Sequence, residues 1–151
     1  MLKKLLIAFL FLSSIQTALG NTTPVLVITP NGYETPLNKS GSSVTVITAS
    51  EIESSGFTTV SEILNTVPGI NAVSAGFGGS VSMFARGHDS DMTKIMLDGI
   101  DLNDPSAFGT TPVLATLMSN NIEQIEIVLG RQSLIAGADA LGGVVHIITK
   151  N

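Results

Sequence analysis

Asp98-Gly99 stands between two apolar runs, Thr93 to Leu97 and Ile100 to Leu102. An Asp-Gly pair suits the two central positions of a type I′ turn, where both residues need positive φ and the turn's twist matches the strands it joins. This pair therefore commits residues 93–102 to an antiparallel hairpin, and the rest of the chain must supply a sheet to hold it. Val44-Thr45-Val46-Ile47-Thr48, Ile70 to Val73, Ser80 to Ala85, Ile122 to Leu129 and Val144 to Thr149 read as further strands, short and rich in β-branched residues. Two helix starts interrupt them. Ser50-x-x-Glu53 and Thr59-x-x-Glu62 both fit the capping-box pattern. The first helix is expected to stop at Gly56, a residue able to adopt the left-handed conformation. The second carries Val60, Ile63, Leu64 and Val67 on one face and is expected to end at Pro68-Gly69. Val113 to Met118 reads as a further short helix, Ser133 to Ala140 as a turn or short helix, and Gly76 to Gly79 and Asn103 to Pro112 as loops. The fold class that follows is α+β: a small mixed β-sheet with short flanking helices and loops.

The N-terminus has a different character. Lys3 and Lys4 precede the apolar run Leu5 to Leu12, and Ala18-Leu19-Gly20 supplies small residues at the positions a signal peptidase reads. A membrane span needs about 20 apolar residues, and Ser13, Ser14, Gln16 and Thr17 interrupt this run. Residues 1–20 are thus expected to be a signal peptide and the protein to be exported. Residues 21–43 carry Pro24, Pro30, Pro36, Gly32 and Gly41 without a sustained period, and read as an extended, mobile leader to a domain over 44–151. Within that leader Val25-Leu26-Val27-Ile28 is apolar and β-branched, which suits a strand that pairs either with another molecule or with an edge of this same domain.

Hydrophobic residues make up 44% of the 151, enough for one buried core. There is no cysteine, so disulfides, cysteine zinc sites and thiol nucleophiles are excluded. The formal charge of −5, with only 7 scattered basic residues, argues against a nucleic-acid partner. Gly76-Phe77-Gly78-Gly79-Ser80-Val81 lacks the third glycine of a dinucleotide loop, and neither a Walker motif nor G-x-S-x-G occurs. His88-Asp89-Ser90-Asp91 offers a nitrogen and hard oxygens to a metal, but its first reading is a solvated loop. Asp98, Asp101 and Asp104 lack the order of a calcium loop. His146 lies in an apolar strand, where a core or interface place is the default. The chain is expected to hold no catalytic residues, no metal and no cofactor, and not to be an enzyme.

Several segments resemble, in order, the plug domains of TonB-dependent outer-membrane transporters. Ile63-Leu64-x-x-Val67-Pro68-Gly69-Ile70 is similar to the family's "LL..VPGV", Met83-Phe84-Ala85-Arg86-Gly87 to "I.IRG", and Met96-Leu97-Asp98-Gly99-Ile100 to "LIDGV". Ile122-Glu123-x-Ile125-Glu126-Ile127-Val128 is similar to "IERIEVV", and Gly137 through Thr149 to "GSDAIGGVINIIT". Leu129-Gly130-Arg131 stands where the family carries "RGP", Ala136 where it carries Tyr, and His146 where it carries Asn.

The resemblance implies that the domain occludes a transmembrane β-barrel, contacts a scarce nutrient complex and is opened by TonB. It implies that Pro24, Val25, Leu26, Val27, Ile28 and Thr29 are the strand that TonB captures. Residues 29–36 look most like the cobalamin-transporter branch. That branch points to Ser80, Ser82, Asp89, Ala107 and Phe108 as substrate contacts. Siderophore, cobalamin, haem, sugar and metal complexes all stay open as cargo. A large transporter barrel has about 22 strands of roughly ten residues, so no barrel is expected within these residues. The barrel then belongs to the full-length receptor or is supplied separately, and the protein sits in the outer membrane. The alternative is a stand-alone periplasmic plug-like binding protein.

Overall fold

The structure, a computed structural model, describes residues 25–28, 32–40, 43–76, 79–103, 112–130, 136–137 and 140–150. Nine strands and two α-helices lie among them: β1 (Leu26–Val27), β2 (Thr35–Pro36), β3 (Val44–Thr48), α1 (Ala49–Ser55), α2 (Val60–Leu64), β4 (Ile70–Ser74), β5 (Val81–Ala85), β6 (Thr93–Leu97), β7 (Ile100–Asp101), β8 (Ile122–Leu129) and β9 (Gly143–Thr149). A five-stranded sheet in the order β3-β8-β9-β6-β7 is the backbone of the domain, and two hairpins, β1-β2 and β4-β5, stand apart from it. The sheet is mixed: β6 and β9 run parallel while its other neighbours are antiparallel. No closed barrel forms among the described residues.

Side chains on a strand alternate between faces, and the two faces of this sheet carry different loads. Ile125 and Ile127 of β8, Val145 and Ile147 of β9 and Ile95 of β6 point into the main core. There they meet Ile52 of α1, Val60, Ile63 and Leu64 of α2, and Val81 and Met83 of β5. The opposite face carries Gln124, Glu126 and Val128 of β8 with Val144 and His146 of β9, and the β1-β2 hairpin docks there.

The hairpin at 93–102 forms as expected, with Asp98 at φ 49 and Gly99 at φ 84. The second capping box is also as read: the Thr59 hydroxyl accepts from the Glu62 amide, and the Glu62 carboxylate accepts from the Thr59 amide at 3.1 Å. The first box lies two residues earlier than Ser50-x-x-Glu53. Thr48 is the cap of α1, and the Glu51 carboxylate accepts from its amide and its hydroxyl, both at 2.8 Å. A cap needs non-helical backbone; Thr48 supplies it at the end of β3, whereas Ser50 already lies inside α1. The same bonds from Thr48 hold the Glu51 carboxyl below its usual range. Glu53 instead ion-pairs with Lys150 at 2.8 Å.

Helix α1 stops at Gly56 in the left-handed conformation, but α2 ends at Leu64, before Pro68-Gly69. The Asn65 side chain closes the next turn by bonding both ways with Ala72, accepting from its amide at 2.7 Å and donating to its carbonyl at 3.0 Å. Val67 therefore enters the core from that turn rather than from the helix. The helix expected from Val113 is a 3₁₀ turn over Pro112–Ala115. Most of Ser133 to Ala140, and Phe77-Gly78 of the 76–79 loop, lie outside the described residues.

Candidate functional site

Residues 25–28 differ from the expectation of a leader free of the domain. Val27 is fully buried. Its neighbour Leu26 points outward and is 39% exposed, as strand alternation requires. One main-chain edge of β1 pairs with β2, in the register Leu26↔Pro36 and Val27↔Thr35, and the Val25 carbonyl accepts from the Leu37 amide at 2.9 Å. The other edge meets side chains instead of a strand. The Gln124 carboxamide donates to the Leu26 carbonyl at 3.0 Å. The Ile28 amide donates to both oxygens of the Glu126 carboxylate, each at 2.9 Å. Gln124 also donates to Glu126 Oε1 at 2.8 Å, which ties the two side chains together. Burying an apolar side chain on β1 and satisfying its polar edge is what holds this segment against the sheet.

Glu126 is itself 0% exposed, and His146 is its direct neighbour across β8 and β9. His146 Nε2 accepts from the Gly99 amide at 3.0 Å, so the imidazole also fastens the 98–99 turn to β9. Asp98 does so from the other side, its carboxylate accepting from the Thr149 amide and hydroxyl at 2.9 and 2.8 Å. Burial lowers the His146 pKa from its ordinary 6.5, against the opposing pull of Glu126 and Asp98. The neutral ring is thus the form the fold favours. As pH falls through 6.5 the unfolded chain takes up a proton that the folded chain resists, and stability declines until the lowered folded value is passed. His146→Asn is expected to flatten the unfolding free energy between pH 7 and 5 relative to the parent, measured by urea titration at each pH.

Of the candidate substrate contacts, those among the described residues lie on β5 or just beyond its two ends. Ser80 immediately precedes β5, its carbonyl accepting from the Ala75 amide at 3.0 Å. Ser82 lies on β5 opposite Val73, and Asp89 lies beyond its other end, past the turn at Arg86-Gly87. Ala107 and Phe108 fall outside the described residues, as does Asp104. Among the described residues no three His, Asp or Glu side chains converge as metal ligands. Asp101 ion-pairs with Lys94 at 3.1 Å, and Asp98 is occupied by Thr149.

A family model described as the TonB-dependent receptor plug domain matches residues 36–144. The chain belongs to the TonB-dependent receptor plug family. Among curated relatives, this plug domain is 39% identical over 129 residues to a vitamin B12 transporter, BtuB, of Vibrio vulnificus, a match spanning 85% of this chain and 21% of that protein. It is 30% identical over 137 residues to a vitamin B12 transporter of Photobacterium profundum, spanning 91% of this chain and 22% of the relative. Among solved structures, the alcaligin outer-membrane receptor FauA of Bordetella pertussis superposes with a TM-score of 0.68 at 25% identity, covering 83% of this chain and 21% of the receptor. A ferric enterobactin receptor variant of Pseudomonas aeruginosa, in complex with enterobactin, gives a TM-score of 0.58 at 29% identity, covering 72% of this chain and 17% of the receptor. The chain spans about a fifth of the length of the curated relatives it matches. These relatives are transporters and receptors, not enzymes.

Sequence reasoning left open whether residues 25–28 pair with another molecule or with this domain, and it missed Gln124 and Glu126 as the side chains that hold them. Glu126 and Gln124 sit in β8 as polar residues among Ile125, Ile127 and Val128. A buried carboxylate requires partners, and that was the signal available for a contact on this face.

Proposed function

We propose that this plug domain is the gate of a TonB-dependent outer-membrane receptor: it occludes the barrel, contacts the nutrient complex, and is rearranged when TonB captures residues 24–29. Plug-family membership over residues 36–144 carries this reading. The cargo class that fits best is a corrinoid, because the curated relatives named above are vitamin B12 transporters; a ferric siderophore is the competing outcome. Ser80, Ser82, Asp89, Ala107 and Phe108 are the proposed cargo contacts. The proposed site of action is the outer membrane, as part of a receptor. The extended geometry of residues 25–28 supports the TonB assignment, since a strand gripped through its main chain transmits a pull without a large interface.

Deleting residues 24–29 tests it. Capture by the periplasmic C-terminal domain of TonB should be lost in a pull-down. The unfolding free energy should fall by about 2 kcal/mol, the contribution of burying Val27. Capture undiminished by the deletion would remove residues 24–29 from the mechanism.

A further inference from the structure

We infer that Gln124 and Glu126 form a latch that imitates a β-strand and holds the TonB-capture segment on the plug until it is displaced. The inference rests on the reading of residues 24–29 as that segment. In an antiparallel ladder, a strand offers the carbonyl of one residue and the amide two residues on toward the same side. On β1 those groups are the Leu26 carbonyl and the Ile28 amide, and both are taken by side chains of β8, at 3.0 and 2.9 Å. Gln124 and Glu126 are themselves two residues apart, so they project from one face of β8 at a spacing that matches the segment's own repeat. The opposite edge of β1 is covered by β2. Among the described residues, neither edge of β1 is open to an incoming strand. Capture by strand addition must therefore strip one of them, and the side-chain edge is the one that no ladder supports.

The carboxylate is the stronger half of the latch. Both Glu126 oxygens accept from Ile28, and Oε1 also accepts from Gln124. A hydrogen bond to a charged acceptor is roughly twice as strong as a neutral one. In Glu126→Gln an NH₂ group replaces one of these oxygens and sets donor against donor, without changing the volume inside the sheet. The apparent affinity of a partner for a segment that must first undock falls with the undocked fraction, so loosening the latch should tighten capture.

The chain has no cysteine, and Leu26 points outward, so Leu26→Cys accepts a spin label without disturbing the docked face. In that background Glu126→Gln should convert an immobile label spectrum to a largely mobile one. In the unlabelled chain Glu126→Gln should raise TonB C-terminal-domain affinity roughly tenfold, with the thermal midpoint within a few degrees of the parent. Gln124→Met, which loses only the bonds made by the carboxamide, should move both readouts the same way by less and guards against misfolding of the first variant. A label that stays immobile in both variants overturns the latch. A label that mobilises with no gain in capture upholds the latch and overturns the assignment of residues 24–29 to TonB.

Discussion

Gly143→Ala is expected to destabilise the domain by about 3 kcal/mol or more, lowering its thermal midpoint by about 10 °C. Gly143 opens β9 with φ +147, a region that side chains disfavour. A Cβ there would lie 2.5 Å from the Val128 carbonyl oxygen and 3.2 Å from Leu129 Cα, both backbone atoms of β8. Backbone cannot rotate aside as a long side chain can. β8 is also paired on both sides, with β3 and with β9. The close approach serves a purpose: Gly143 pairs with Leu129 at the far end of the β8-β9 ladder, and the Gly130 amide donates to the Gly142 carbonyl beyond it at 3.1 Å. Gly56→Ala is the control. It also has positive φ, but a Cβ there meets nothing within 4 Å, so strain alone should cost about 1 kcal/mol. Equal losses in thermal unfolding at the two sites would mean that the contact with β8 contributes nothing.

The features legible in the sequence are those whose cause lies within a few residues. Asp98-Gly99 sets its own turn, Thr59 and Glu62 cap each other three residues apart, and Gly56 ends a helix through its own φ. Where the sequence misled, two local patterns competed: Ser50-x-x-Glu53 and Thr48-x-x-Glu51 have the same spacing, and only the extended backbone at Thr48 decides between them. For residues 25–28 the local signal, an apolar β-branched run, marked a strand but not its partner. Its anchors on β8 are 98 residues away, and Val27 in isolation reads the same whether it awaits a partner or is already buried. The core followed from periodicity because β8 and β9 place Ile125, Ile127, Val145 and Ile147 on one face by alternation alone.

That alternation sets up the second large effect. Ile127→Ala should cost about 2–5 kcal/mol, while Glu126→Gln, one residue away, should leave the fold nearly intact. Ile127 is fully buried on the core face, between Thr45 of β3 and Val145 of β9 in register. Truncation leaves a cavity at the centre of the sheet, where neighbours on both sides are tied into ladders and cannot collapse to fill it. Glu126 faces the opposite way, toward the β1-β2 hairpin, so its substitution changes how the N-terminal segment is held rather than how the sheet packs on its helices. Urea unfolding of the two variants, read beside the mobility of a label at position 26, separates these roles. Ile127→Ala should shift the unfolding midpoint strongly and, below that midpoint, leave the label immobile. Glu126→Gln should mobilise the label and lower stability by no more than docking contributes, about 2 kcal/mol. If both substitutions moved both readouts together, the two faces of β8 would belong to one cooperative unit, and undocking the segment would amount to unfolding the plug.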